Sequence, residues 1–143
     1  MTAHRSRKEE LEYGSHRRNT DAAICEFCTP LSDQVVKTTK HFRVLRNKFP
    51  YSLWDGLAVV DHLMVVPKGH TDTIANFSDI AALEYFRTLA TYEEMGYNVY
   101  ARAPASKKKS IIHQHTHLIK TEGHEKNIVF MVRKPYYFRF LKS

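Results

Sequence analysis

Ile111-Ile112-His113-Gln114-His115-Thr116-His117-Leu118-Ile119 carries three imidazoles at alternate positions, flanked by β-branched and aliphatic residues. A period of two predicts one strand with His113, His115 and His117 on a common face. Same-face neighbours on a strand stand roughly 6.6 Å apart, twice the rise per residue. At that spacing three rings line one small anion or one metal ion without being forced into contact. An ordinary pKa of about 6.5 suits histidine to nucleophile, acid or base work near neutrality. Any half-exposed strand alternates polar residues, but one residue type three times in succession argues for a site.

Outward from that strand, the pattern is α+β. Ser78 is a helix N-cap with Asp79 in the first turn, and Ile80, Leu83, Phe86, Leu89 and Ala90 recur at helical spacing. Gly96 stands at C′, so the spacing predicts a helix over residues 79–95, with Tyr85, Phe86 and Met95 in the core. Residues 97–101 read as a strand and 102–109 as a loop. Upstream, short strands are expected at 34–39 and 41–47. Asn47-Lys48-Phe49-Pro50-Tyr51 is irregular, because Pro50 has no amide to give a central ladder. Asp55-Gly56 is a tight-turn pair before Leu57-Ala58-Val59-Val60. The chain is then expected to return through Asp61-His62-Leu63-Met64-Val65-Val66 as a hairpin. A last strand is expected at 128–132, followed by the aromatic run Tyr136-Tyr137-Phe138-Arg139-Phe140, which must pack somewhere. Several strands and one dominant helix give a mainly antiparallel sheet, with one parallel pairing left open by the β-α-β order. Residues 1–23 read as a charged amino-terminal arm or short solvated helix, and 24–143 as a single domain. His4, His16, His41 and His124 read as surface residues.

At 143 residues, 43% of them hydrophobic, the chain suits one globular domain with a real core. Its apolar runs fall far short of the ~20 residues a membrane helix needs, and residues 1–16 show no signal-peptide apolar region. Two cysteines spaced Cys25-x-x-Cys28 read as a metal or redox pair in a reducing, cytoplasmic setting. A net charge of +7 and a pI near 9.5 favour anionic partners such as nucleotides and polyphosphates. Nucleic acid is not the expected partner, since no basic helix or aromatic RNA-binding motif is present.

His113-Gln114-His115-Thr116-His117-Leu118-Ile119 resembles the motif of the histidine-triad family, three histidines alternating with apolar residues. Ile24-Cys25-Glu26-Phe27-Cys28 is similar to the amino-terminal knuckle of its zinc-bearing bacterial-type branch. Asn47-Lys48-Phe49-Pro50-Tyr51 resembles the nucleotide-facing segment. Asp61 to His70 resembles the strand that ends in Val-x-Pro-Lys-x-His. The likeness runs from about residue 24 to residue 120. It implies a histidine-triad-like α+β fold, a five-stranded, mostly antiparallel sheet with one principal helix, and a homodimer whose sheets join. Gln114 and Thr116 replace apolar residues of the motif, which predicts a less buried reverse face. Pro104-Ala105-Ser106-Lys107-Lys108-Lys109-Ser110 replaces a glycine-rich loop, and the segment from Asn47 to His62 is longer by roughly one hairpin turn.

By the same resemblance, His115 is the nucleophile at the α-phosphate of a purine nucleotide or nucleotide conjugate, through a nucleotidyl-histidine. The backbone carbonyl of His113 orients it, and His117 donates to a phosphate oxygen or the leaving group. Ser110 is a candidate for the leaving atom, Lys109 for phosphate charge, Asn98 and Asn47 for phosphate and ribose. His62 either supports the triad on the nucleotide side or faces elsewhere. Cys25 and Cys28 supply two thiolates, and the resemblance implies His70 and His113 as the remaining ligands of a closed, structural zinc site. The implied activity is nucleotide hydrolysis or nucleotidyl transfer on a phosphoramidate or dinucleoside polyphosphate. One rival is a non-catalytic nucleotide sensor. Another is a metal-centred hydrolase or oxygenase of the His-x-His type, for which only Glu122 and Glu125 are nearby carboxylates.

Overall fold

The computed structural model describes residues 3–19 and 24–124, together with the strand backbone of 127–133 and 136–141. The chain opens with β1 (Ala3–His4) and helix α1 (Arg7–Asn19), followed by β2 (Val35–Thr38), β3 (Phe42–Arg46), β4 (Leu53–Trp54) and β5 (Leu57–Pro67). Helix α2 (Asp79–Glu94) leads into β6 (Asn98–Ala101) and β7 (Thr116–Glu122), and β8 (Asn127–Arg133) pairs with β9 (Tyr136–Leu141). The fold is α+β, and every described pairing is antiparallel. Five strands in the order β2-β3-β5-β7-β6 match the expected sheet, and the two-residue strands β4 and β1 extend it along the first half of β5. No parallel pairing occurs among the described residues. The strand expected at 128–132 and the aromatic run form the β8–β9 hairpin, whose side chains lie outside the described residues.

Local chemistry explains the ends. Asp55 and Gly56 both take positive φ, 50° and 82°, as a two-residue hairpin turn of the twist-compatible kind demands. The return expected after Val60 does not occur, and β5 runs straight through to Pro67. Val59 and Val60 are β-branched and favour a strand, and Asp61 stands there without a Gly, Pro or Asn to complete a turn. The irregularity appears instead as a bulge: Val59 pairs with Thr121, but Asp61 pairs with Lys120. Both ends of α2 are capped as read. Ser78 accepts from the amide of Ala81, and Gly96, at φ 86°, donates to Glu93 O while Tyr97 donates to Tyr92 O. Those last two bonds make a Schellman motif.

The buried face of α2 differs from the expected one. Ala81, Tyr85, Leu89 and Tyr92 pack over Phe42, Val44, Leu63, Val65 and Leu118, whereas Ile80, Leu83 and Phe86 are 68%, 51% and 70% exposed, and Met95 is also exposed. Apolar residues occupy two stripes of this helix. The stripe holding Tyr85 wins because its hydroxyl finds Thr116 Oγ1 at 2.6 Å inside the core. Alternation along β7 sends Thr116 and Leu118 to the helix face, and His117 and Ile119 to the opposite face. There Phe27, Leu45, Met64 and Val66 form one apolar cluster, and Tyr51, Trp54 and Ile119 another.

The amino-terminal segment lies on that second face. β1 pairs with β4, Glu9 binds Ser52 and the amide of Ser6, and His16 Nε2 reaches Glu26 Oε1 at 2.5 Å. His16, and His41 with Glu84 at 2.6 Å, are therefore held by carboxylates rather than free at the surface. The Nε2 of His4 is buried, and His124 is exposed as read. Among the described residues no helix is long and apolar enough to cross a membrane.

Candidate functional site

His117 alone of the three histidines lies within β7. The residues from His113 to His115 form its run-in, because the amide of Gln114 donates to Thr71 O at 2.6 Å instead of to a sheet neighbour. All three rings are nonetheless buried, His113 completely. The reverse face is also buried, contrary to expectation: Gln114 and Thr116 are 3% and 1% exposed. Their polar atoms are satisfied, Thr116 by Tyr85 and Gln114 Oε1 by Lys109 Nζ at 3.1 Å.

His113 Nε2 donates to Pro67 O at 3.0 Å, which leaves the Nδ1 lone pair facing the cysteines. Cys25 Sγ is 3.3 Å and Cys28 Sγ 3.6 Å from that nitrogen, and Cys28 Sγ is 3.3 Å from His70 Nδ1. The turn closed by Cys28 N to Cys25 O at 3.0 Å brings the two thiols to one side. All four ligand atoms lie within 4.8 Å of one another. Zn–S near 2.3 Å and Zn–N near 2.05 Å at tetrahedral angles place sulfur and nitrogen roughly 3.6 Å apart. The cluster therefore fits a four-coordinate metal ion. Burial and the neighbouring Cys25 push the Cys28 thiol up, a cost that a bound cation removes.

His115 Nδ1 donates to the carbonyl of His113 at 2.8 Å, so its Nε2 carries the free lone pair. Burial lowers its pKa to about 4, which keeps the ring neutral at pH 7. A second chain of bonds fixes His117. The amide of Tyr51 donates to His62 Nδ1 at 3.1 Å, and only a donor can stand there. His62 Nε2 must then carry the proton and give it to His117 Nδ1 at 2.9 Å. This leaves N–H at His117 Nε2, an outward donor beside the lone pair of His115, whose ring is 5.0 Å away centroid to centroid. Burial lowers His62 to about 3 and His117 well below its ordinary value, so the whole relay is neutral. His62 therefore supports the triad.

Other expected residues are placed less centrally. Asn47 Oδ1 accepts from Phe49 N at 2.9 Å, and its amide nitrogen lies 3.1 and 3.4 Å from the two ring nitrogens of His62. Asn98, on β6, donates to Ile119 O at 3.2 Å. Lys109 spends donors on Asp72 O, 2.8 Å away, and on Gln114. Ser110 is half-buried, and its hydroxyl has no hydrogen-bond partner among the described residues. A cavity of about 640 Å³ runs between Lys40, Pro67, Asp72 and Phe77, and of the expected site residues it touches only His70.

Arg5, Tyr100 and Arg102 near the triad were not singled out by the sequence, and Tyr51 entered only as the end of the segment likened to a nucleotide-facing one. Arg5 lies over Tyr51, and the Tyr51 and Tyr100 rings approach His117 to 5.8 and 6.0 Å. Arg102 lies over Tyr100. One signal was available: Tyr100 and Arg102 share the parity of a strand laid beside the histidines. A neutral nucleophilic nitrogen, a neighbouring N–H donor and surrounding cations are the parts that transfer at a phosphorus centre requires.

No protein-family model and no curated protein sequence matches the chain. Solved structures do. A HIT family hydrolase from Legionella pneumophila is 22% identical, with a TM-score of 0.52 over 72% of this chain and 96% of its own. A HIT family hydrolase from Clostridium thermocellum is 16% identical, with a TM-score of 0.53 over 71% of this chain and 94% of its own. A hypothetical histidine triad nucleotide-binding protein from Sulfolobus tokodaii is 24% identical, with a TM-score of 0.51 over 70% of this chain and 71% of its own. At that identity the likeness is one of architecture, and the chain has the fold of the histidine-triad proteins.

Proposed function

We propose that this chain is a nucleotide hydrolase or nucleotidyl transferase in which His115 attacks the α-phosphate of a nucleotide conjugate. The observation that carries the reading is the 2.8 Å bond from His115 Nδ1 to the His113 carbonyl, which leaves a buried, neutral ring with its Nε2 lone pair free. In the step, the lone pair forms a P–N bond as the bond to the leaving group breaks. Water then cleaves P–N and releases the nucleotide. His117 Nε2–H serves a phosphate oxygen or the leaving atom, and Ser110 lends its unpartnered hydroxyl. Lys109, Asn47, Asn98 and His62 line or support the nucleotide. Two structural neighbours are described as hydrolases and a third as a nucleotide-binding protein, which supports the class.

Zinc is the metal best suited to the two thiols and two imidazoles, held structurally by Cys25, Cys28, His70 and His113. When bound, it supplies a closed cross-link that holds His113 and hence the carbonyl orienting His115. Thiolate ligands are kept available in a reducing cytoplasm, and neither cysteine is in a disulfide. A homodimer through the outer edge of β6 belongs to the same reading, since among the described residues β6 pairs with β7 alone.

Incubation with a panel of AMP conjugates, followed by intact-mass measurement, tests the nucleophile. A nucleotidyl adduct should form on the native chain and vanish in His115→Asn, with turnover down by at least about 10⁴-fold. An adduct that persists in the variant removes His115 from the role. Tight AMP binding with no adduct and no turnover on any conjugate makes the chain a nucleotide-binding module instead.

A further inference from the structure

The ladder between β6 and β7 pairs Asn98 with Ile119, Tyr100 with His117 and Ala101 with Thr116. Arg102 follows the last paired residue, Ala101, and shares the parity of Tyr100, whose partner on β7 is His117. Tyr100 lies against His117 with ring planes 23° apart, and the Arg102 guanidinium carbon is 5.3 Å from the Tyr100 centroid. Arg102 thus stands beside the two rings assigned to the chemistry.

The charge around those rings has one sign. Lys109 and Arg102 act on His115, Arg102 and Arg5 act on His117, and no carboxylate is among the groups acting on either. Two of these cations are already committed. Lys109 is bonded to Asp72 O and Gln114, and Arg5 donates to Phe49 O at 3.1 Å and pairs with Glu10 at 3.5 Å. Arg102 has no hydrogen bond or ion pair among the described residues, and the Tyr100 ring is its one partner there. A half-buried guanidinium with all its N–H groups open is a fork shaped for the two oxygens of a phosphate.

We propose that Arg102 binds a second phosphate, joined to the one under attack, and so selects phosphoanhydrides (nucleoside or dinucleoside polyphosphates) over phosphoramidates. The inference rests on the nucleotide reading given above and adds the substrate class. When His115 Nε2 forms the P–N bond to an anhydride, the bridging P–O bond breaks and its electron pair stays on the departing phosphate. That phosphate gains negative charge, which a guanidinium stabilises without any proton transfer. An amine leaving group gains no such charge and must instead collect a proton, a task Arg102 cannot perform.

Calorimetric binding of AMP and ADP, without magnesium, to the wild-type chain and to Arg102→Gln and Arg102→Lys reads the second phosphate directly. ADP should bind about tenfold to a hundredfold more tightly than AMP to the wild type. That ratio should collapse toward one in Arg102→Gln and recover in part in Arg102→Lys, which keeps the charge but loses the fork. Equal affinities in the wild type, or a ratio that Arg102→Gln leaves intact, overturn the inference whatever the turnover. A second arm compares kcat/KM on diadenosine tetraphosphate with that on adenosine phosphoramidate, and Arg102→Gln should lower the ratio at least tenfold. If the wild type turns over neither compound while the ADP preference depends on Arg102, the catalytic reading fails and the phosphate site stands.

Discussion

His113 and His117 are the same residue four positions apart, both buried in one stretch of chain, and they are put to opposite use. At His113 a backbone carbonyl, Pro67 O, takes the Nε2 proton and turns the Nδ1 lone pair toward Cys25 and Cys28. At His117 another imidazole, His62 Nε2, donates to Nδ1 and turns an N–H outward. The sequence motif treats the two positions as equivalent. What separates them is the partner on the inner nitrogen, which selects the tautomer and therefore whether the outer nitrogen gives or accepts a proton. His115 lies between them, bonded through its Nδ1 to the backbone of the first and touching the ring of the second.

The largest expected effect comes from the His113 end. Cys28→Ser, or chelation of the loaded protein, should remove a stoichiometric metal ion, and thermal melting should show a loss on the order of several kcal/mol. Full stability without metal would mean that the knuckle is held by Phe27 and its apolar neighbours alone. At the other end, His62→Phe removes the donor to His117 and strands the Tyr51 amide, so kcat should fall about 10–100-fold with KM changing less. His62→Gln, which can still donate, should recover part of that loss. A KM effect equal to the kcat effect would show that His62 serves binding rather than the state of His117.

The mildest perturbation is acid. In the folded chain His62 and His115 take up a proton only near pH 3 and pH 4, whereas unfolded imidazoles do so near about 6.5. Between those values the unfolded chain binds more protons. Stability should therefore be full above about pH 6.5 and decline as the pH falls toward 4. Urea midpoints across that window, on both metal-loaded and chelator-treated protein, check the slope. A flat profile would mean that these rings are solvated.

Much of this was legible from the chain alone. Ser78 and Gly96 mark both ends of α2, Asp55-Gly56 marks its turn, and the four metal-cluster residues were placed together by resemblance. Two things were not legible, for physical reasons. The helix carries apolar residues on two stripes, and periodicity cannot say that Tyr85 and Tyr92 outrank Leu83 and Phe86 without knowing that Thr116 waits beneath. Arg5 and Arg102 were lost among 22 lysines and arginines, because their value lies in standing near His117, where no carboxylate is among the groups acting on the ring, and a linear chain does not show that placement.

The bulge at Val60 is a phase change in the strand. On the carboxyl-terminal side, even-numbered residues such as His62 and Met64 look toward the triad; on the amino-terminal side, odd-numbered Val59 and Leu57 do. Trp54 faces with Leu57, Ala3 with Trp54, and Arg5 continues the same parity. Removing that one residue would leave His62 in place but turn everything upstream to the helix side. The amino-terminal arm reaches the site because one strand is a single residue out of step with itself.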